Sequence, residues 1–174
     1  MQRPIPIDKE IVLDPKRYLV SETDEKGIIT YVNDYFIKIS GYSKEELIGQ
    51  PHSILRHPDM PKVIFKLLWQ TIQTGHNINV VVKNLAKDGR YYWIFTEFEI
   101  KKDTDTGNII GYHASRKAVS KHIVEIVSEI YEKLLKMETL YNVEASERQL
   151  TVLLKDKGDD CELLNLMENI HRFY

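Results

Sequence analysis

The sequence holds a single cysteine, Cys161, among its 174 residues. No internal disulfide and no CxxC metal or thiol pair can form, which fits a reducing compartment and predicts a cytoplasmic protein. Long apolar runs are missing as well, since nothing approaches the ~18 residues of a membrane-spanning stretch. Residues 1–10 place acids and prolines where a secretory signal carries its apolar stretch, so the chain is not expected to insert into a bilayer. Charge of one sign is not in excess. With 24 Lys and Arg against 26 Asp and Glu, the formal net charge is −2, and the positive field on which phosphate-backbone binding relies is lacking. Nucleic acid is therefore excluded as a partner class. No internal repeat recurs at a fixed period, which removes solenoids. GxSxG, HExxH, GxGxxG and a phosphate loop ending in GKS or GKT are all absent, so the chain is not expected to be an enzyme.

What is present is 43% hydrophobic, 29% charged and 10% aromatic content, enough for one globular domain with an appendage. Residues 17–118 alternate strand-like runs with short helices, preceded by a 1–16 cap segment and followed by a helical region over 119–174. Arg17 to Glu22 and Ile28 to Val32 are β-rich runs around a turn ending at Gly27. Asn33 can cap a helix carrying Tyr35, Phe36 and Ile39, and Ser43 to Glu46 is a capping box. Pro61, at a first helical position, opens the longest helix of this part. Val63, Ile64, Leu67, Leu68 and Ile72 line one side of it, and Gly75 ends it. Three further strands follow, Asn77 to Ala86, Arg90 to Lys101 and Asn108 to Ala118. In the middle one Tyr92, Ile94, Thr96, Phe98 and Ile100 share a face opposite to Tyr91, Trp93 and Phe95. The order predicts an α+β fold, a five-stranded antiparallel sheet with helices on one face. Beyond it, Val119, Ile123, Ile126, Ile130, Leu134 and Met137 form a helical stripe. Further helices are expected over Glu144 to Lys155 and, after Gly158, over Asp160 to Phe173. The tail reads as a dimer or partner surface, or as an appendage folded back on the domain.

The spacing of Asn33-Asp34, Gly41-Tyr42-Ser43-Lys44-Glu45-Glu46-Leu47-Ile48-Gly49, Lys87-Asp88-Gly89 and Gly111-Tyr112 resembles a PAS sensor domain. The contiguous segment from Gly49 to Pro61, with Arg56-His57-Pro58-Asp59-Met60-Pro61 at its end, is similar to the flavin-containing aerotaxis receptors of the Aer type. The likeness continues through Trp69, Lys83-Asn84 and Tyr92-Trp93 and covers roughly residues 17–118. With only a short helical tail after the domain, the chain most resembles stand-alone energy-taxis PAS proteins of the CetB type. That resemblance implies a cytoplasmic redox sensor for aerotaxis signal transduction. It would be a dimer, associated with the membrane through its partner, a methyl-accepting chemotaxis receptor that lacks its own PAS domain.

The resemblance also implies FAD as cofactor, with Arg56, His57 and Asp59 supporting it, Asn84 bonding the ring edge and Trp69 beside it. A guanidinium at Arg56, before a helix N-terminus, can hold a pyrophosphate bidentately. The plainer alternatives are that Asp59 caps the helix and pairs with Arg56, that Asn84 is satisfied by neighbouring backbone, and that Trp69 is core. One departure is Ile78, where the Aer pattern carries a tryptophan. The place of the adduct-forming cysteine of blue-light flavin domains is taken by His52, so adduct photochemistry is not expected. Haem is the second cofactor reading, with His52, His57 and His113 as candidate axial ligands. A module without cofactor, its pocket filled by side chains and its tail binding a receptor or a second copy, is the alternative function. The signal can leave through the aromatic outer face, the N-terminal segment or the helix from Val119.

Overall fold

The computed structural model describes residues 3–155. The elements are β1 (Leu19–Thr23), β2 (Ile29–Val32), α1 (Asp34–Ser40), α2 (Lys44–Leu47), a 3-10 turn (His52–Leu55), α3 (Lys62–Gln73), β3 (Ile78–Leu85), β4 (Tyr91–Lys102), β5 (Ile109–Ala118), α4 (Lys121–Leu140) and α5 (Val143–Lys155). The expected five-stranded sheet forms in the order β2-β1-β5-β4-β3, antiparallel at every pairing. The helix expected over Asp160 to Phe173, its break at Gly158, and Cys161 lie outside the described residues.

Local chemistry places the helices. The Asn33 carboxamide accepts hydrogen bonds from Phe36 N–H and Val20 N–H, so one side chain caps α1 and ties it to β1. Ser43 and Glu46 form the reciprocal capping box that starts α2. α3 begins one residue later than expected: Pro61, at ψ 137°, is still extended and serves as the cap position. Gly27 is required at the β1–β2 turn, because its φ of +79° disfavours other residues and a Cβ there would lie 2.7 Å from the Trp69 ring.

Alternation along β4 divides the sheet as expected. Ile94, Thr96 and Phe98 turn toward α1 and α3, whereas Trp93 and Phe95 are buried on the opposite face. That second face is covered by α4 and by the N-terminal segment. The Tyr131 ring of α4 packs 6.4 Å from Trp93, and its hydroxyl donates to the Val81 carbonyl at 2.7 Å. The N-terminal segment adds backbone hydrogen bonds, Ile11 N–H to Tyr91 O at 2.7 Å and Ile7 N–H to Gly89 O at 2.8 Å. Helices α1 and α3 therefore occupy one face, and α4 returns across the other. Its apolar stripe, Ile123, Val127, Ile130 and Leu134, joins the core.

Candidate functional site

Between α3, the 3-10 turn and the inner face of the sheet lies a cavity of about 440 Å³. This is within the range of small-molecule and cofactor pockets. One wall is apolar: Phe65, Leu68, Trp69 and Ile72 from α3 face Val82 and Ile94 from the sheet. The polar groups include Ser21, His52, Arg56, Asn84, Thr96 and Arg116, with Lys26 at the β1–β2 turn. Among the described residues the lining contains three cationic side chains and no carboxylate.

Arg116 is the most unusual of these. It is 2% exposed, and among the described residues its guanidinium has no carboxylate partner. Nη1 donates to Ser21 Oγ at 2.9 Å and to the Ala114 carbonyl at 3.1 Å, and Nη2 stands 3.0 Å from His52 Nε2. The Phe36 and Phe98 rings lie 5.5 and 6.0 Å from it. Burial lowers its pKa to about 10, so it stays charged at neutral pH. The His52 pKa falls to about 3, chiefly through burial and then through the Arg116 charge. His52 is thus neutral, and Nε2 accepts from Arg116, which leaves the proton on Nδ1. A buried cation with no counter-charge among the described residues is costly.

Arg56 borders the opposite part of the cavity. Its guanidinium lies 3.6 Å over the Phe65 ring, and its Nε is buried with no hydrogen-bond partner. Burial, followed by the nearby Arg3 charge, lowers its pKa. A backbone bridge between Arg56 and Asn84 fixes this loop to β3, and the Arg3 guanidinium donates to the Arg56 carbonyl. Thr96 Oγ1 is a second buried polar atom of the lining without a partner. Trp69 lies edge-on to Tyr112, with ring centroids 5.8 Å apart.

Of the five residues singled out from the sequence, the fold brings Arg56, Trp69 and Asn84 to the cavity and leaves His57 and Asp59 outside it. Asp59 pairs with Lys83 at 2.6 Å rather than with Arg56, and its N–H donates to His57 Nδ1 at 3.1 Å. It does not cap α3, whose cap position has no side-chain bond of its own. His57 is buried against Tyr91, and burial and the Lys83 charge lower its pKa to about 4. His113 pairs with Glu22 at 3.4 Å and does not border the cavity. Ile78 is buried in the core at the start of β3 and is also away from the lining. Arg116, Ser21 and Thr96 were missed as site residues, although alternation from Tyr112 through Ala114 puts an arginine on the inner face.

Residues 29–114 match the PAS fold family. The chain is 38% identical to the aerotaxis receptor of Escherichia coli over 116 residues, which is 67% of this chain and 22% of the receptor. It is 31% identical to the bacterioopsin transcriptional activator of Halobacterium salinarum over 118 residues, 66% of this chain and 17% of that protein. The chain thus spans about a fifth of the length of these relatives. A solved light-oxygen-voltage domain studied with a flavin analogue superposes with a TM-score of 0.56 at 21% identity, covering 67% of this chain and 86% of that one.

Proposed function

Taking as premise that the chain carries a PAS domain over residues 29–114, we propose that it is a cytoplasmic redox sensor binding FAD in the cavity. In this reading it relays the state of the flavin, for energy taxis, to a membrane-bound methyl-accepting chemotaxis receptor that lacks its own PAS domain, and it works as a homodimer. The observation that carries this reading is the uncompensated guanidinium of Arg116 in an apolar cavity that contains no carboxylate. Bound flavin supplies reversible reduction, which raises the negative charge on its ring system. Arg116 is suited to hold that charge, and neutral His52 keeps the guanidinium oriented.

The other residues follow from their chemistry. Arg56, whose Nε has no partner, is the group for the pyrophosphate. Asn84 and Thr96, both in the lining, would offer hydrogen bonds to the ring, and Trp69 and Phe65 are the aromatic side chains that would pack against it. His57 and Asp59 act from outside by holding the Arg56 loop to β3 through Lys83. The similarity to an aerotaxis receptor and the flavin named for the light-oxygen-voltage structure support the same ligand class.

Two alternatives are disfavoured by specific contacts. Haem requires a free imidazole nitrogen facing the cavity, but His52 Nε2 is engaged by Arg116 while His57 and His113 lie elsewhere. A cofactor-free module would fill its pocket with side chains, and 440 Å³ is left open here. The test is titration of ligand-stripped protein with FAD, riboflavin and haemin. Binding of FAD at least tenfold tighter than riboflavin supports the assignment. Uptake of haemin alone, or of nothing, contradicts it.

A further inference from the structure

The N-terminal segment is fixed beside the start of β4, and its first described residue reaches the Arg56 loop. Ile7 N–H donates to Gly89 O at 2.8 Å, Ile11 N–H donates to Tyr91 O at 2.7 Å, and Tyr91 N–H returns a bond to Lys9 O at 3.1 Å. Gly89 is required for this path, because its φ of +91° is left-handed and a Cβ there would collide with the Ile5 carbonyl. Arg3 lies two residues before that contact, and its guanidinium donates to the Arg56 carbonyl. The bonded backbone thus carries Arg3 to the loop from which Arg56 enters the cavity lining.

Charge around this loop is unbalanced. Its acid, Asp59, is taken by Lys83 at 2.6 Å. Neither Arg3 nor Arg56 forms an ion pair among the described residues. Arg56 Nε is buried without a partner, and after burial it is the Arg3 charge that lowers the Arg56 pKa. The start of α3 does not serve an anion in their place. Lys62 N–H and Val63 N–H donate to the Glu138 carboxylate of α4 at 2.9 and 2.8 Å, so these donors are used and a negative charge already stands at the terminus. The attraction for a phosphate expected there from the sequence is offset, and the guanidinia of the loop are left to provide it.

We propose that Arg3 is a second phosphate-holding residue and that, together with Arg56, it selects a flavin dinucleotide over a flavin mononucleotide. This rests on the flavin reading above and deepens it by naming what sets the choice of ligand. A pyrophosphate carries two anionic groups joined by one oxygen, and two planar guanidinia, each with several donors, match it better than one. FMN has a single phosphate, which Arg56 alone can meet, and riboflavin has none. Arg3 is exposed, so its share is screened by solvent and salt, whereas Arg56 is half-buried and supplies the larger part of the attraction. Selectivity is a difference of affinities, and a residue that reaches only the second phosphate changes one affinity without the others.

The experiment is titration of the ligand-stripped full chain with FAD, FMN and riboflavin, followed by flavin fluorescence, on the wild type, Arg3→Gln and Arg3→Lys. The wild type should bind FAD most tightly, then FMN, then riboflavin. Arg3→Gln should weaken FAD binding by about threefold to tenfold, the range of an exposed charge-assisted contact converted to affinity, and leave FMN and riboflavin within about twofold. Arg3→Lys, which keeps the charge without the planar fork, should fall between. Raising the salt concentration should shrink the difference between wild type and Arg3→Gln for FAD. Unchanged FAD affinity in Arg3→Gln, an equal loss for all three flavins, or equal affinity of the wild type for FAD and FMN overturns the role of Arg3 and leaves flavin binding in place. Failure of the wild type to bind any of the three overturns the sensor reading and this inference together.

Discussion

Nη2 of Arg116 stands 3.0 Å from Nε2 of His52, and burial lowers the pKa of both groups. The charge beside it helps keep His52 neutral, and neutral His52 gives the guanidinium an acceptor without supplying a counter-ion. In the proposed reading, Arg116 is the group that meets the anionic ligand. Arg116→Met removes the charge and keeps an apolar side chain of similar length. Flavin affinity should drop by about tenfold to a hundredfold, the equivalent of a charge-assisted hydrogen bond. The urea midpoint should change little or rise, because an uncompensated buried charge is removed. A large loss of stability with unchanged affinity would make Arg116 a purely structural residue.

The pH dependence of stability follows from the two depressed histidines. His52 is lowered to about 3 and His57 to about 4, against 6.5 in the unfolded chain. Between pH 6.5 and 4 the unfolded chain binds more protons than the fold, so stability falls as the pH falls. The slope is at most about 1.4 kcal/mol per pH unit for each histidine, and this contribution is flat above 6.5. Urea unfolding at pH 7 and pH 4.5 checks this. His52→Gln, which retains an acceptor for Arg116, should reduce the difference between the two pH values, and an undiminished difference would remove His52 as its source.

Arg56→Glu separates the two halves of the ligand. Arg56 is assigned to the pyrophosphate, so charge reversal should abolish FAD retention while riboflavin, which has no phosphate, loses affinity only slightly. Circular dichroism should remain that of the wild type, because the Arg56 side chain makes no ion pair among the described residues. Equal loss of both ligands would mean that the substitution disturbs the cavity as a whole.

Gly27→Ala tests the seat of Trp69. At φ +79° the new Cβ is strained, and it would lie 2.7 Å from the indole. Thermal unfolding should shift downward by an amount equivalent to about 1–2 kcal/mol. The displaced Trp69 ring should weaken flavin binding as well, and an unchanged melting temperature would place the indole elsewhere.

The sequence reached furthest where signals are local. Gly27, Asn33, Ser43 with Glu46, and the period-two run of β4 each act within a few residues, and every strand lies within about two residues of its expected ends. Partner choice across the fold was not legible. Asp59 could be seen to need a cation, but only the approach of the Arg56–Met60 loop to β3 makes it Lys83 rather than Arg56. The capping of α3 by Glu138 joins residues far apart in the chain and leaves no periodic trace. Arg116 was open to inference from alternation, yet an inward arginine becomes informative only once its neighbours prove neutral.

The most direct test of the central claim is the absorption spectrum of freshly purified protein, followed by heat release and identification of any coloured ligand. Oxidised flavin bands that bleach on reduction, with FAD in the released fraction, are the expected result. A colourless protein that takes up no FAD when it is added, or a haem Soret band, would contradict the account.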